Sequence, residues 1–160
     1  MGKVIPHFQE KFGSALLSVH EHHGDETIQV GAENLFEVLK FAKENSATQF
    51  DLLVDVCGVD YLGQTPRFEV VYHLYSIPKN HRLRIKVRVP EENCRVPSCV
   101  SLWKSADWFE RETWDMVGII FEGHTALKRL LLFEGFEGHP LRKDYPIAKR
   151  QKIPEPLERL

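Results

Sequence analysis

Nothing in these 160 residues approaches the run of ~18–20 apolar positions that a bilayer-spanning helix needs. The longer uncharged stretches, residues 96–103 and 116–121, are of core length. Charge of one sign is also lacking. The 21 Lys+Arg against 23 Asp+Glu leave a net charge of −2, which gives no overall pull towards nucleic acid or anionic lipid. Cysteine is scarce and odd in number: Cys57, Cys94 and Cys99. A disulfide framework is therefore not indicated. Cys94 and Cys99 open a C-x4-C spacing, but the C-x2-C step that iron–sulfur ligation requires next is missing. All three read as small buried hydrophobes. The glycines form neither G-x-G-x-x-G nor the phosphate-cradling G-x-x-x-x-G-K-[ST], and no serine stands in G-x-S-x-G. The opening Met1-Gly2-Lys3-Val4-Ile5-Pro6 has no apolar signal core, and Pro6 stands where myristoylation needs Ser or Thr. The expectation is a cytoplasmic chain of about one domain.

What is present is an ordinary globular composition, 42% hydrophobic and 28% charged. Phe8, Phe12, Leu16 and Val19 recur at helical spacing and predict a helix over 7–20, ended near Gly24. A short strand follows at 27–31, then a second amphipathic helix at 33–45. Residues 50–59, rich in Leu and Val, read as a buried strand. Residues 67–75 and 81–90 alternate apolar and polar positions across a Pro78-Lys79-Asn80 turn. The second run is the clearest, with Leu83, Ile85, Val87 and Val89 facing one way and Arg82, Arg84, Lys86 and Arg88 the other. Residues 90–97 read as a connection and 98–103 as a helical turn. A helix spans 106–117 and ends at Gly118, suited to a left-handed cap. Strand-like pieces are expected at 119–121 and 129–133. The predicted class is α+β: two layers, helices packed on one face of a mixed β-sheet, with an extended C-terminal tail. The domain spans 1–135. The remainder, 136–160, carries six Lys/Arg, four Asp/Glu and four Pro, and reads as a docking strap.

Few residue groupings suggest chemistry. In His20-Glu21-His22-His23 only His20 and His23 share a helix face, so the run reads as a solvated helix end and not a metal site. Glu112 and Asp115 share a face and could serve as acid and base in a free-standing hydrolase. The blander reading pairs Arg111 with Asp107 and Asp115. The Arg82–Arg88 stripe could follow phosphates, but no stacking aromatics are interleaved with it. More telling are Trp103, Trp108 and Trp114 around Glu110-Arg111-Glu112. Aromatics with Arg are the composition of interface anchors. In Gly138-His139-Pro140-Leu141-Arg142-Lys143-Asp144-Tyr145-Pro146, two prolines pre-set the backbone and lower the cost of ordering on a partner.

Residues 110–124, Glu-Arg-Glu-Thr-Trp-Asp-Met-Val-Gly-Ile-Ile-Phe-Glu-Gly-His, followed by Leu127-Lys128-Arg129-Leu130-Leu131, resemble the signature of the 30 kDa subunit family of respiratory complex I, the C-subunit of NADH-quinone oxidoreductase in bacteria. Residues 138–146 resemble that family's second block. The departure is Thr125, where the family usually has Pro. The resemblance implies a proton-translocating assembly that passes electrons from NADH through FMN and iron–sulfur clusters to quinone. This chain would hold no cofactor, metal or catalytic residue of its own. It would brace the large 49 kDa-type subunit and the small cluster-bearing subunit, on the cytoplasmic face of the bacterial inner membrane, touching the membrane only through the complex and binding no nucleic acid. Partner-binding residues would be Trp108, Glu110, Arg111, Glu112, Trp114, Asp115, His124 and Arg129 in the first block. In the second they would be His139, Pro140, Arg142, Lys143, Asp144, Tyr145 and Pro146. Homologous subunits of membrane-bound hydrogenases and ferredoxin-dependent complexes share the motif and form the alternative.

Overall fold

The most regular alternation in the sequence becomes the middle of the protein. In a computed structural model describing residues 4–152, His81–Val89 (β5) is the central strand of a five-stranded sheet. Its neighbours are Phe68–Ser76 (β4), antiparallel to it, and Asp25–Val30 (β2), parallel to it. Leu52–Asp60 (β3) and Leu16–His22 (β1) form the two edges, both antiparallel to their partners. The order is β1-β2-β5-β4-β3, which confirms a mixed sheet. Register sets the two faces. Ile28, Ile85 and Tyr72 align across three strands, as do Val30, Val87 and Val70, and all six are buried. Ile5–Phe12 (α1), Ala32–Glu44 (α2) and Ala106–Val117 (α3) close over this apolar face, as expected for two layers. Arg95–Pro97 (β6) and Ile120–Glu122 (β7) form a separate parallel pair beside α3.

Three local expectations are corrected. The first helix stops at Phe12, and Leu16–His22 is a strand. Gly13 leaves the helix at φ +49°, and the chain reverses through His23 and Gly24, both at positive φ. A two-residue connection of that kind suits a hairpin. Residues 129–133 form no strand, because the N–H groups of Leu130, Leu131 and Leu132 turn together onto one carboxylate. The 90–97 connection contains β6. Residues 98–103 do contain a helical turn, closed by Trp103 N–H donating to Cys99 O. The described part of the tail, to residue 152, is a series of turns lying against the domain. Its last eight residues, including Pro154 and Pro156, fall outside the described region.

Candidate functional site: a bolted helix and its strap

Helix α3 carries most of the candidate residues, and its periodicity divides them. Ala106, Glu110, Thr113 and Val117 follow each other at three- and four-residue steps and are all buried, the spacing of one helix face. Thr113 donates its hydroxyl to Val56 O at 2.8 Å, fixing α3 to β3. Gly58 lies beneath this contact, where an added Cβ would sit 3.0 Å from the Thr113 methyl and 3.1 Å from Ile119. Glu110 is fully buried and accepts from the Ser98 hydroxyl and the Cys99 N–H, both at 2.7 Å. Burial pushes its pKa up, against these hydrogen bonds.

Asp115, also fully buried, organises the loop after β7. Its Oδ2 accepts from the N–H groups of Leu130, Leu131 and Leu132 at 2.9, 2.8 and 3.0 Å, and Oδ1 pairs with Arg129 at 2.8 Å. Three successive N–H groups on one oxygen form an anion-binding concavity. Burial alone would raise the Asp115 pKa. Arg129 and the three N–H groups outweigh it and hold the carboxyl below its ordinary value. Arg129 also donates to Phe136 O and Gly138 O, and its guanidinium lies over Trp114.

The strap is tied down at the C-terminal end of the helix. Gly118 takes the left-handed conformation at φ +86°, and a Cβ there would come within 2.5 Å of the His139 ring. His139 Nδ1 donates to Asp115 O at 3.0 Å, and burial lowers its pKa. Arg142 Nε donates to Val117 O at 2.6 Å, and Leu141 N–H to Met116 O. Further along, Arg67 is the hub. It forks onto Asp60 at 2.9 and 2.8 Å and onto Asp144 at 3.0 and 2.9 Å, and it reaches Glu91 at 2.7 Å. The Lys143 N–H completes Asp60. Arg67 in turn holds the Asp60 and Asp144 carboxyls below their usual range. Tyr145 stacks on Phe136 and accepts from Gln151.

Burial thus sorts the sequence candidates. Glu110, Asp115, Arg129, His139 and Arg142 spend their polar atoms within the chain, the exposed Asp144 carboxylate is held by Arg67, and the His124 side chain is fully enclosed with Nε2 on Asp107. Trp108, Glu112, Lys143 and Pro146 are exposed, while Arg111, Trp114, Pro140 and Tyr145 are half-buried. The predicted pairing of Arg111 with Asp107 and Asp115 does not form. Arg111 donates instead to the carbonyls of Lys128 and Arg129 and lies over the Trp108 ring at 5.2 Å. Asp107 goes to His124 and Asp115 to Arg129, because the 124–132 loop brings stronger partners to both. Glu112 and Asp115 sit in different environments, Glu112 exposed to solvent and Asp115 buried with its oxygens taken by Arg129 and three N–H groups. Three of the four cations in the stripe face carboxylates of the same sheet, Lys86 on Glu69 at 3.0 Å, Arg88 near Glu69 at 3.8 Å and Arg84 near Asp25 at 4.0 Å, while Arg82 lies over the Tyr75 ring.

Sequence reasoning missed the Asp60–Arg67 hub, whose members gain meaning only when the strap arrives from 77 and 83 residues away. It also missed a grouping on the far sheet face, Asp55, Cys57 and His73. There the signal was only strand alternation on two different strands.

No described helix is long and apolar enough to cross a membrane. The family described as respiratory-chain NADH dehydrogenase, 30 Kd subunit, matches residues 28–151. The NADH-quinone oxidoreductase C-subunit of Citrifermentans bemidjiense is 45% identical over 152 residues, 95% of this chain and 93% of that protein. The C-subunit numbered 2 of Rhizobium etli is 48% identical over 138 residues, 86% and 73% of the two chains. A solved trypsin-resistant fragment (1-134) of Nqo5 superposes with a TM-score of 0.68 at 33% identity, covering 78% of this chain and 98% of the fragment. The fold also occurs in the membrane-bound sulfane sulfur reductase, an archaeal respiratory membrane complex, with a TM-score of 0.78 over 91% of this chain and 85% of that one at 23% identity. The signature helix, its Asp115-centred loop and the strap as far as residue 151 fall in the matched region, and the chain belongs to the 30 kDa subunit family of the respiratory-chain NADH dehydrogenase.

Proposed function

We propose that this member of NADH-quinone oxidoreductase is a brace that performs no redox step itself. It positions the large 49 kDa-type subunit and the small cluster-bearing subunit, so that electrons from NADH, having passed FMN and the iron–sulfur clusters, meet quinone in a fixed chamber. Productive geometry in such a shared site tolerates an error of only ~0.5 Å. A rigid chain can hold its neighbours to that only if its own docking face is immobile.

The observation that carries the reading is the two-sidedness of α3. Its inner face is fixed by Glu110, Thr113 and Asp115, while its outer face leaves Trp108 58% exposed with Arg111 stacked on it. An indole held ready by an arginine is the composition of an interface hot spot. Arg111 ties this anchor to the carbonyls of the Lys128–Arg129 loop, which continues into exposed Leu131. Trp108, Arg111, Glu112 and the strap's Lys143 and Pro146 are the outward contacts. The remaining signature residues act by holding that face in shape. Residues 136–160 serve as the strap along neighbouring subunits. The assembly lies at the cytoplasmic face of the bacterial inner membrane.

Cross-linking mass spectrometry on intact membranes tests this reading. Lys104, Lys128 and Lys143 are exposed around the face and should link to the 49 kDa-type subunit. Links from these lysines to other chains only would overturn it. A hydrogenase-type or ferredoxin-dependent assembly shares the fold, and nickel-site subunits among the cross-linked chains would favour it.

A further inference from the structure

The helices cover one face of the five-stranded sheet, and the other face carries a set of side chains with no part in the strap or α3. Asp55 and Cys57 lie two apart on β3 and so project from the same side. Asp55 pairs across the ladder with His73 on β4 and Cys57 with Val71, which makes His73 the diagonal neighbour of Cys57. The register breaks between Leu53 and Asp55. Leu53 and Val56 are buried while Val54 is 50% exposed, so the break turns Val54 and Asp55 together away from the core. Bulges of this kind re-aim side chains.

One carboxylate oxygen, one thiol sulfur and one imidazole nitrogen lie within 4.8 Å of one another, all half-buried. A groove of about 590 Å³, lined by Leu52, Val54 and Tyr75 as well as Asp55 and His73, opens beside them. Zinc-type ions accept this mixture of S, N and O donors at bond lengths of about 2.0–2.3 Å, and three protein donors with a water complete an open tetrahedral site. Those bond lengths imply donor separations of about 3.3–3.8 Å, which small side-chain rotations can reach. Burial, then Arg84, lowers the His73 pKa. Burial, then the Asp55 charge, raises that of the Cys57 thiol, which is hydrogen-bonded to Asp55. The nearby cations are held elsewhere: Lys86 pairs with Glu69, and Arg84 bonds Thr27 and faces Asp25 at 4.0 Å.

We propose that Asp55, Cys57 and His73 form a binding site for one thiophilic divalent cation of the zinc type, with its remaining position open to water. The cation replaces the thiol proton, which leaves to solvent as the metal–sulfur bond forms, and no electron is transferred. Such a site lies on the sheet face opposite α3 and is compatible with a brace that does no redox work.

Titration of the purified full chain with Co2+ tests the proposal by absorbance. One equivalent should bind, giving a thiolate-to-cobalt charge-transfer band that Zn2+ abolishes by displacement. Cys57→Ser should remove that band, and His73→Gln should weaken binding at least about tenfold, since even outer-shell losses cost that much. Cys94→Ser should change neither, with circular dichroism confirming the fold in each variant. Failure of the wild-type chain to bind one equivalent overturns the proposal, as does an unchanged titration in Cys57→Ser or His73→Gln.

Discussion

Replacing Asp115 with Asn changes one atom of the side chain and should unfold the protein at a distinctly lower temperature. The carboxylate is fully buried, with three N–H groups on Oδ2 and Arg129 on Oδ1. In the Asn variant the carbonyl oxygen can still receive the three N–H groups, but as neutral hydrogen bonds of roughly half the strength. The amide NH2 then points at the Arg129 guanidinium. Arg129 retains the carbonyls of Phe136 and Gly138, so it is not left bare. Breaking one side of a buried ion pair costs ~3–5 kcal/mol, and the partial retention here puts the expected loss near the lower end, ~3 kcal/mol. For a chain of this size each kcal/mol moves the melting temperature by ~2–4 °C. Thermal denaturation followed by circular dichroism should therefore show a drop of ~6–12 °C. A melting temperature within about a degree of the wild type would refute the reasoning that the loop is organised by a charge and not by shape alone.

Glu110 should behave oppositely, because burial pushes its pKa up. Glu110→Gln keeps an acceptor for the Cys99 N–H while the Ser98 hydroxyl turns to accept, and should cost under about 1 kcal/mol in urea unfolding at neutral pH. Glu110→Ala strands the N–H and should cost ~1–3 kcal/mol. Gly118→Ala combines left-handed strain of ~1–2 kcal/mol with a Cβ inside the His139 ring contact. It should loosen the strap, seen as faster tryptic cleavage after Arg142 and Lys143, and an unchanged cleavage rate would count against that contact. Asp60, Asp115 and Asp144 all titrate below the ordinary range, whereas an unfolded Asp titrates near ~3.9. Their stabilisation is complete above that value and is lost as pH falls through the lower folded values. Asp60→Asn should thus be less stable at neutral pH and lose less on acidification, and a parallel pH profile would contradict it.

The central strand β5 and α3 are legible because each presents one uninterrupted period. Residues 82–89 alternate without exception, and 106–117 end at a glycine that takes φ +86°. Leu16–His22 misled because Leu16 and Val19 continue the helical series begun by Phe8 and Phe12. The contrary signal is His23-Gly24, a positive-φ hairpin turn whose glycine also suits a helix end. The site was legible as a motif but not as a mechanism. Short-range reasoning gave Arg111 to Asp107 and Asp115, four residues away on either side. The fold gives those carboxylates to His124 and Arg129 across a loop, and sends Arg111 to Trp108 and two carbonyls. The Arg67 hub was beyond reach for the same reason, since its partners in the strap are set by tertiary structure and not by local spacing.

Trp108→Ala tests most directly whether the outward indole is a structural anchor. Native gels of membranes carrying this variant should show less assembled NADH-quinone oxidoreductase, as expected when truncating a hot spot costs ~2 kcal/mol or more. NADH-quinone turnover per assembled complex should stay unchanged, and so should the melting temperature of the isolated chain. Full assembly, or full assembly with reduced turnover per complex, would contradict the claim that this chain supplies geometry and not chemistry.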